Sequence, residues 1–397
     1  MLQEGPINDV NSPDPVERAR GLAPLIAGSG DDIERARKLT EPVVSALHKA
    51  RLFRLLMPAS VDGEEVEPIV FLGMLEEIGK ADASTAWCLS QTSVCSMWAA
   101  LLREDVAKRI FSEPRALLAS GFGGNTRAVV CEGGYRVTGS WAFGSGARHA
   151  TWLGAGCTVY EPDGNPRLDA AGKPATRFML LPAAKAKMTD VWHVLGLKGT
   201  GSDAYAVTDL FVPEEESFAS ISAPPQPHAK GALYLFPHDS LWAGGFASVA
   251  LGIARETLDA MIAMAQEKTP RGFKRPLSES AAIQALVAQS DARIRSSRQF
   301  LFSSFAEIWA EVEAARRIDL HQRMTIRLAS SHAIQQARQV VDECYHAAGT
   351  TAVFASSPFE RRFRDMHMVT QHVHGRQSHF ESVGQLMLGL TPDTAFL

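Results

Sequence analysis

Between Leu118 and Pro213 the chain abandons helical spacing, and that switch limits the fold more than any other feature. GGYRVTGSWAFGSG, ATWLGAGCTVY, RFMLLPAA and AYAVTDLFVP are short runs rich in Val, Tyr, Phe and Thr, separated by Gly, Pro and Asp-Gly. Such runs predict antiparallel strands. Helix-patterned sequence flanks them on both sides. From about Pro15 to Arg115 apolar residues recur every three or four positions. The first stretch is DDIERARKLTEPVVSALHKARLFRLL, with Asp31 and Asp32 expected as caps, and the second is PIVFLGMLEEIGKAD. The third, ASTAWCLSQTSVCSMWAALL, is apolar on nearly every face, so it should be buried or line a pocket. After the strands comes SISAPPQPHAKGA, whose prolines exclude a helix. Beyond Leu241 three long helical stretches suit an antiparallel bundle with a subunit interface. The expected chain is α+β in three parts: a helical domain over 1–117, a β-barrel or sandwich over 118–226, and a helical bundle over 227–397.

Charge and cysteine usage remove several classes of function. A formal net charge of −4 gives no electrostatic case for nucleic acid or an anionic membrane. Cys88, Cys95, Cys131, Cys157 and Cys344 are scattered without a CxxC pair, which predicts a reducing compartment and no zinc knuckle. No run approaches about 18 apolar residues and no signal-peptide pattern opens the chain, so a cytoplasmic protein is expected.

Four stretches bear on chemistry. WAFGSGARHATW (Trp141 to Trp152) sets Phe143, Gly144, Ser145 and Gly146 and the basic pair Arg148 and His149 between two tryptophans. Such a segment suggests a backbone brought close to something large and flat. LGLKGTGSDAY contains G-x-x-G-x-G before a strand, where a dinucleotide or phosphate loop requires a helix. It is a tight turn or a ligand-contacting turn. RDMHMVTQHVHGRQSHF holds His367, His372, His374 and His379. Read as helix, it puts His367 and His374 on one face and His372 and His379 on another. No carboxylate or cysteine joins them at ligand spacing, so a general acid–base histidine is favoured over a metal. Arg271, Lys274 and Arg275, before a helix expected from Ser278, form an anion site or a solvated loop.

The helix–β–helix order, VWHVLGLKGTGSDAYAVTDLFVPEE and SPFERRFRDMHM resemble the acyl-CoA dehydrogenase superfamily over nearly the whole chain. STAWCLSQ, GGYRVTGSWAFGSGARHATW, DVWHVLGLKGTGS and RFRDMHMVTQH are similar to its two-component flavin-dependent monooxygenases, which hydroxylate 4-hydroxyphenylacetate or steroid-derived phenols, or oxygenate dibenzothiophene sulfur. The resemblance implies an antiparallel β-barrel at the centre, a C-terminal four-helix bundle and a homotetramer with flavin at a subunit interface. It implies that Ser145 sits at flavin N5 and supports a C4a-hydroperoxide formed from reduced flavin and O2, with His372 as the proton-handling residue. Trp141, Phe143, Ser145, Gly146 and Arg275 would contact FMN, with FAD as the alternative. Gln91, Cys95, Trp98 and His149 would line the pocket for a small aromatic substrate. A separate NAD(P)H:flavin reductase would supply the reduced flavin by diffusion, since the chain has no NAD(P)H fingerprint.

The competing readings are an FAD-dependent acyl-CoA dehydrogenase and an inactive flavin-binding scaffold. Dehydrogenases of this superfamily carry a glutamate base shortly after the Arg-Asp pair, here Arg364 and Asp365, whereas this chain reads Thr370-Gln371-His372-Val373. The dehydrogenase flavin loop is also missing, the matching region reading SGFGGNTRAV. Phenol hydroxylases often place a further histidine where Cys95 stands, and a thiol is a poor base in an apolar pocket. The substrate class therefore widens to indoles, sulfur heterocycles, amines and polyketide-like phenols. His193 is expected to be structural.

Overall fold

The computed structural model describes residues 12–272 and 274–397. Its N-terminal helices are α1 (Pro15–Gly28), α2 (Gly30–Ala36), α3 (Glu41–Lys49), α4 (Pro68–Ala81), α5 (Ala83–Ser96) and α6 (Glu104–Phe111). Nine strands follow: β1 (Leu118–Ser120), β2 (Phe122–Gly123), β3 (Arg127–Cys131), β4 (Gly134–Gly144), β5 (Trp152–Tyr160), β6 (Thr176–Pro182), β7 (Lys187–Thr189), β8 (Asp203–Pro213) and β9 (Ser217–Phe218). The C-terminal helices are α7 (His238–Glu267), α8 (Ala281–Ala315), α9 (Leu320–Ala348), α10 (Pro358–Gln371) and α11 (Ser378–Met387).

The stretch beginning at Asp31 is two helices rather than one. Arg37 turns left-handed at φ 52° and ends α2, and Pro42 lies in the first turn of α3. Asp31 and Asp32 are not caps; they sit inside the first turn of α2, after Ser29 at the cap position. There they still face the positive end of the helix. Thirteen of the fourteen residues of α5 are buried, Gln91 being the exception, as expected of a helix apolar all round. Asp82 starts it by accepting from the Thr85 amide at 2.6 Å.

The strands join in the order β7-β8-β4-β3-β5-β6-β9, with β1 added on β5 and β2 on β4. This sheet is open, so the expected closed barrel is not formed. Its ends, β7 and β9, have three and two residues and pair only with β8 and β6. It is also not purely antiparallel, because β1 and β3 both run parallel to β5. Register shifts in β4 fall between Val137 and Gly139 and between Trp141 and Gly144. The second shifts the pairing with β8 just before Ser145, Gly144 still pairing with Asp203.

In the C-terminal part α7 packs against α8, α9 and α10, and α9 packs against α8, α10 and α11. α7 also crosses α4 and α5, so one apolar core joins both helical parts. The α4–α7 crossing is close: a Cβ on Gly252 would lie 2.6 Å from the Glu76 carbonyl oxygen. Among the described residues no helix is long and apolar enough to cross a membrane.

Candidate active site

Ser145 occupies a turn forced on the backbone from both sides. Phe143 adopts φ 60° and Gly146 φ 78°. A side chain at Gly146 would stand 2.7 Å from Thr92 of α5, so glycine lets the turn press against that helix. Ser145 Oγ accepts from the Trp87 indole N–H at 3.2 Å and lies 2.6 Å from Ser202 Oγ. Ser202 Oγ is 2.7 Å from Thr200 Oγ1, which donates to the Leu197 carbonyl at 2.8 Å. The Gly146 amide closes the unit by donating to Thr200 O at 3.1 Å. The glycine-rich segment is therefore a turn before β8, built on left-handed Leu197 and Gly201, whose hydroxyls reach Ser145.

His372 arrives from another direction. α10 stops at Gln371, and His372 is the first residue beyond it. The helical-face reading of the four histidines is thereby corrected: only His367 lies on α10, bonded to Asp342 at 2.9 Å. His374 is buried with Nδ1 2.9 Å from Arg327, and His379, on α11, meets the Val373 carbonyl at 2.7 Å. The His372 ring meets Trp87 edge-on at 5.1 Å and Phe246 of α7 at 4.7 Å, while Trp87 and Phe246 stack at 3.8 Å. One indole thus touches both residues singled out by sequence, through its N–H on Ser145 and its edge on His372.

The state of His372 follows from its surroundings. Burial pushes its pKa down to about 3, with the Arg376 and Arg327 charges adding to the effect. Its Nδ1 accepts the His374 amide at 3.3 Å, so the single proton of the neutral ring sits on Nε2. The ring side chain is a hydrogen-bond donor. Its imidazole resonances should stay constant from pH 8 to pH 5 in a proton–carbon NMR titration; an inflection near pH 6.5 would contradict this state.

The other expected site residues divide. Gln91 Nε2 donates to the Ser120 carbonyl at 3.4 Å and lies 3.6 Å from Cys95 Sγ. Burial pushes the Cys95 thiol well above its usual range, so it remains protonated. Trp98 is core and not pocket wall: it is fully buried, edge-on to Phe178 and Phe218, with its ring over Gly154. Trp141 cannot form the wall expected of it either. It is enclosed, stacked on Tyr205, with its indole N–H on the Gly156 carbonyl at 3.0 Å. Phe143 is instead the open aromatic, 60% exposed, with its edge toward Trp192. His149 binds the Leu39 amide through Nε2 at 3.1 Å and is held at a pKa of about 4 by burial, which makes it a brace between the α2–α3 connection and the Ser145 turn. Arg275 is exposed and faces Glu279 at 3.5 Å; nothing within this chain brings it to Ser145. His193 is exposed beside Arg37. A cavity of about 600 Å³ between Leu101–Arg103 and Pro213–Phe218 is lined by none of these residues.

Sequence reasoning missed three contributors: Trp87, the Thr200–Ser202 pair and Asp365. Asp365 Oδ1 accepts the Leu197 amide at 2.6 Å, and Arg364 donates to the Leu195 carbonyl at 2.7 Å. A Cβ on Gly196 would lie 2.4 Å from the Arg364 backbone, so helix and turn are in contact. α10, which delivers His372, is latched to the turn that delivers Ser202. The available signal was α5 itself: a helix apolar on nearly every face with one tryptophan between small residues marks that ring as a contact between elements.

Residues 244–377 match the acyl-CoA dehydrogenase, C-terminal domain family. Butyryl-CoA dehydrogenase from Megasphaera elsdenii superposes with a TM-score of 0.78 over 97% of this chain and 100% of that one, at 16% identity. The chain has the acyl-CoA dehydrogenase fold. Its curated relatives of similar length include indole-3-acetate monooxygenase of Pseudomonas putida, 28% identical over 92% of this chain and 91% of the relative. Another is the FADH(2)-dependent resorcinol hydroxylase, oxygenase component, of Rhizobium sp. (strain MTP-10005), 27% identical over 95% and 94%. Within the acyl-CoA dehydrogenase fold, the segment just beyond α10 is thus occupied here by a neutral histidine.

Proposed function

We propose that this chain is the oxygenase component of a two-component flavin-dependent monooxygenase, acting on a small aromatic or heteroaromatic substrate. The observation that carries the reading is the meeting of Ser145 and neutral His372 on Trp87, where no carboxylate base is available between Thr370 and Val373. The names of both relatives support it.

The residues present fit a flavin. Ser145 stands in a glycine-flanked turn, and Phe143, Val191 and Leu195 offer exposed apolar surface on β4 and the segment before the glycine-rich turn. Bound reduced flavin, FMN in this reading with FAD as the alternative, supplies the electrons that activate O2. Ser145 holds and orients it. The stacked Trp87 and Phe246 would keep water from the reacting face. His372 Nε2–H would donate to an oxygen of the bound substrate, steadying negative charge there. Cys95 leaves the substrate proton in place, which favours substrates needing no deprotonation, such as indoles.

A separate NAD(P)H:flavin reductase delivers the reduced flavin, and the chain assembles as a homotetramer in which Arg275 of one subunit reaches the flavin phosphate of another. Three domains, bounded near residues 117 and 226, complete the proposal, and the setting is cytoplasmic. Purified protein given photoreduced FMN, O2 and an indole or phenol panel should yield an oxygenated product, and NADH with oxidised FMN alone should yield none. NADH oxidation without a reductase, or bleaching of tightly bound flavin by an acyl-CoA, would overturn the reading.

A further inference from the structure

Four groups lie in series at the buried turn: the Trp87 indole N–H, Ser145 Oγ, Ser202 Oγ and Thr200 Oγ1, ending on the Leu197 carbonyl oxygen. Distances alone leave the two hydroxyl–hydroxyl bonds undirected, but proton counting directs them. Each hydroxyl has one proton to give. The Leu197 carbonyl can only accept, and although it also takes the Trp192 indole N–H at 3.0 Å and the Thr200 amide at 3.2 Å, its oxygen lies 2.8 Å from Thr200 Oγ1, a separation that two acceptors would not hold, so Thr200 spends its proton there. Thr200 must then accept from Ser202, and Ser202, its proton spent, must accept from Ser145. The indole at the other end can only donate, so Ser145 accepts from Trp87. Ser145 is left without a proton to offer and with one lone pair unused. Ser202 and Thr200 are 2% exposed, so no bulk water competes for their protons.

We infer that Ser202 and Thr200 set the redox selectivity of the site, by holding Ser145 as a pure acceptor toward the flavin. N5 of reduced flavin carries a hydrogen and can donate to that lone pair. N5 of oxidised flavin has only a lone pair, and two acceptors facing each other in a dry site lose a hydrogen bond. The site therefore takes reduced flavin from the reductase and lets oxidised flavin go, although Thr200 and Ser202 need not touch either. This rests on the monooxygenase reading, with Ser145 beside N5.

The test is an anaerobic titration of the purified protein with reduced FMN and, separately, oxidised FMN, giving the ratio of the two dissociation constants. Ser202→Ala frees the Ser145 proton to turn outward and should lower the preference for reduced FMN about fivefold to tenfold. Thr200→Val should do the same at one remove, because Ser202 can then donate to Ser145 and reverse the chain. Thr200→Ser keeps the hydroxyl and should keep the wild-type ratio. Thermal melting of each variant separates these effects from misfolding. Wild-type ratios in both Ser202→Ala and Thr200→Val would overturn the inference and leave the monooxygenase reading standing. A wild-type ratio in Ser145→Ala would overturn it too, by showing that Ser145 does not meet N5. Binding of neither flavin form by the wild type would overturn both.

Discussion

Replacement of Ser145 by alanine is expected to separate oxygen consumption from oxygen insertion. Product formed per reduced FMN should fall at least about tenfold, with hydrogen peroxide making up the difference, while oxygen uptake continues. The change removes the hydroxyl whose unused lone pair the proposed flavin would meet. It also strands the Trp87 indole N–H, whose partner at 3.2 Å is that same oxygen. An unpaired buried donor costs about 1–3 kcal/mol, and the indole can recover it only by tilting away from Phe246 and His372. Two effects therefore add in one direction: a poorly held flavin and a looser aromatic wall. The measurement is product against peroxide from a single turnover of photoreduced FMN. A ratio equal to that of the wild type would remove Ser145 from the reaction. Trp87→Phe helps to separate the two effects, because it keeps an aromatic ring against Phe246 while removing the N–H.

How much of this was legible in the sequence depends on the range of the interaction. The long strands and long helices follow from local periodicity, and Gly134–Gly144 and Asp203–Pro213 fall where alternation and turn residues put them. The expected barrel fails because closure depends on how the sheet ends, at two strands too short to be seen in composition. The parallel pairing of β1 and β3 with β5 is likewise a matter of topology, invisible to alternation. Ser145 and His372 were accessible only through resemblance. Trp141, expected against the flavin because an aromatic beside glycine suits either a ligand or a core, and Trp98, placed in the substrate pocket by the resemblance, are both enclosed here. The hydroxyl chain joins residues 57 positions apart, and the Asp365 latch residues 168 apart. Both rest on hydrogen bonds that leave no periodic trace.

The latch yields the second large effect. Asp365→Ala should lower product yield about tenfold and destabilise the fold, and Asp365→Asn should restore most of both. The alanine leaves the Leu197 amide unbonded in the interior, at about 1–3 kcal/mol, and frees the turn that carries Thr200 and Ser202 from the helix that carries His372. The asparagine keeps an oxygen acceptor for that amide. Gly196→Ala should mimic the alanine variant from the other side, since its methyl would push helix and turn apart. A pH signature separates the carboxyl from a passive filler. Burial raises the Asp365 pKa to about 7; the Leu197 amide and the Arg364 charge oppose the rise, and Asp82 and Glu34 add to it. In the unfolded chain the same group ionises near ~3.9. Native protein thus binds the extra proton between about pH 4 and pH 7, and wild-type stability from this residue is present at low pH and lost as pH rises through 7. Asparagine never ionises. The stability of Asp365→Asn relative to wild type should therefore climb by about 1.4 kcal/mol per pH unit from pH 4 to pH 7 and level off above. Urea unfolding at four pH values measures it. A difference that stays flat across that window would mean that Asp365 is ionised throughout, held by Arg364 rather than by burial, and the latch would then be an ion pair that asparagine could not restore.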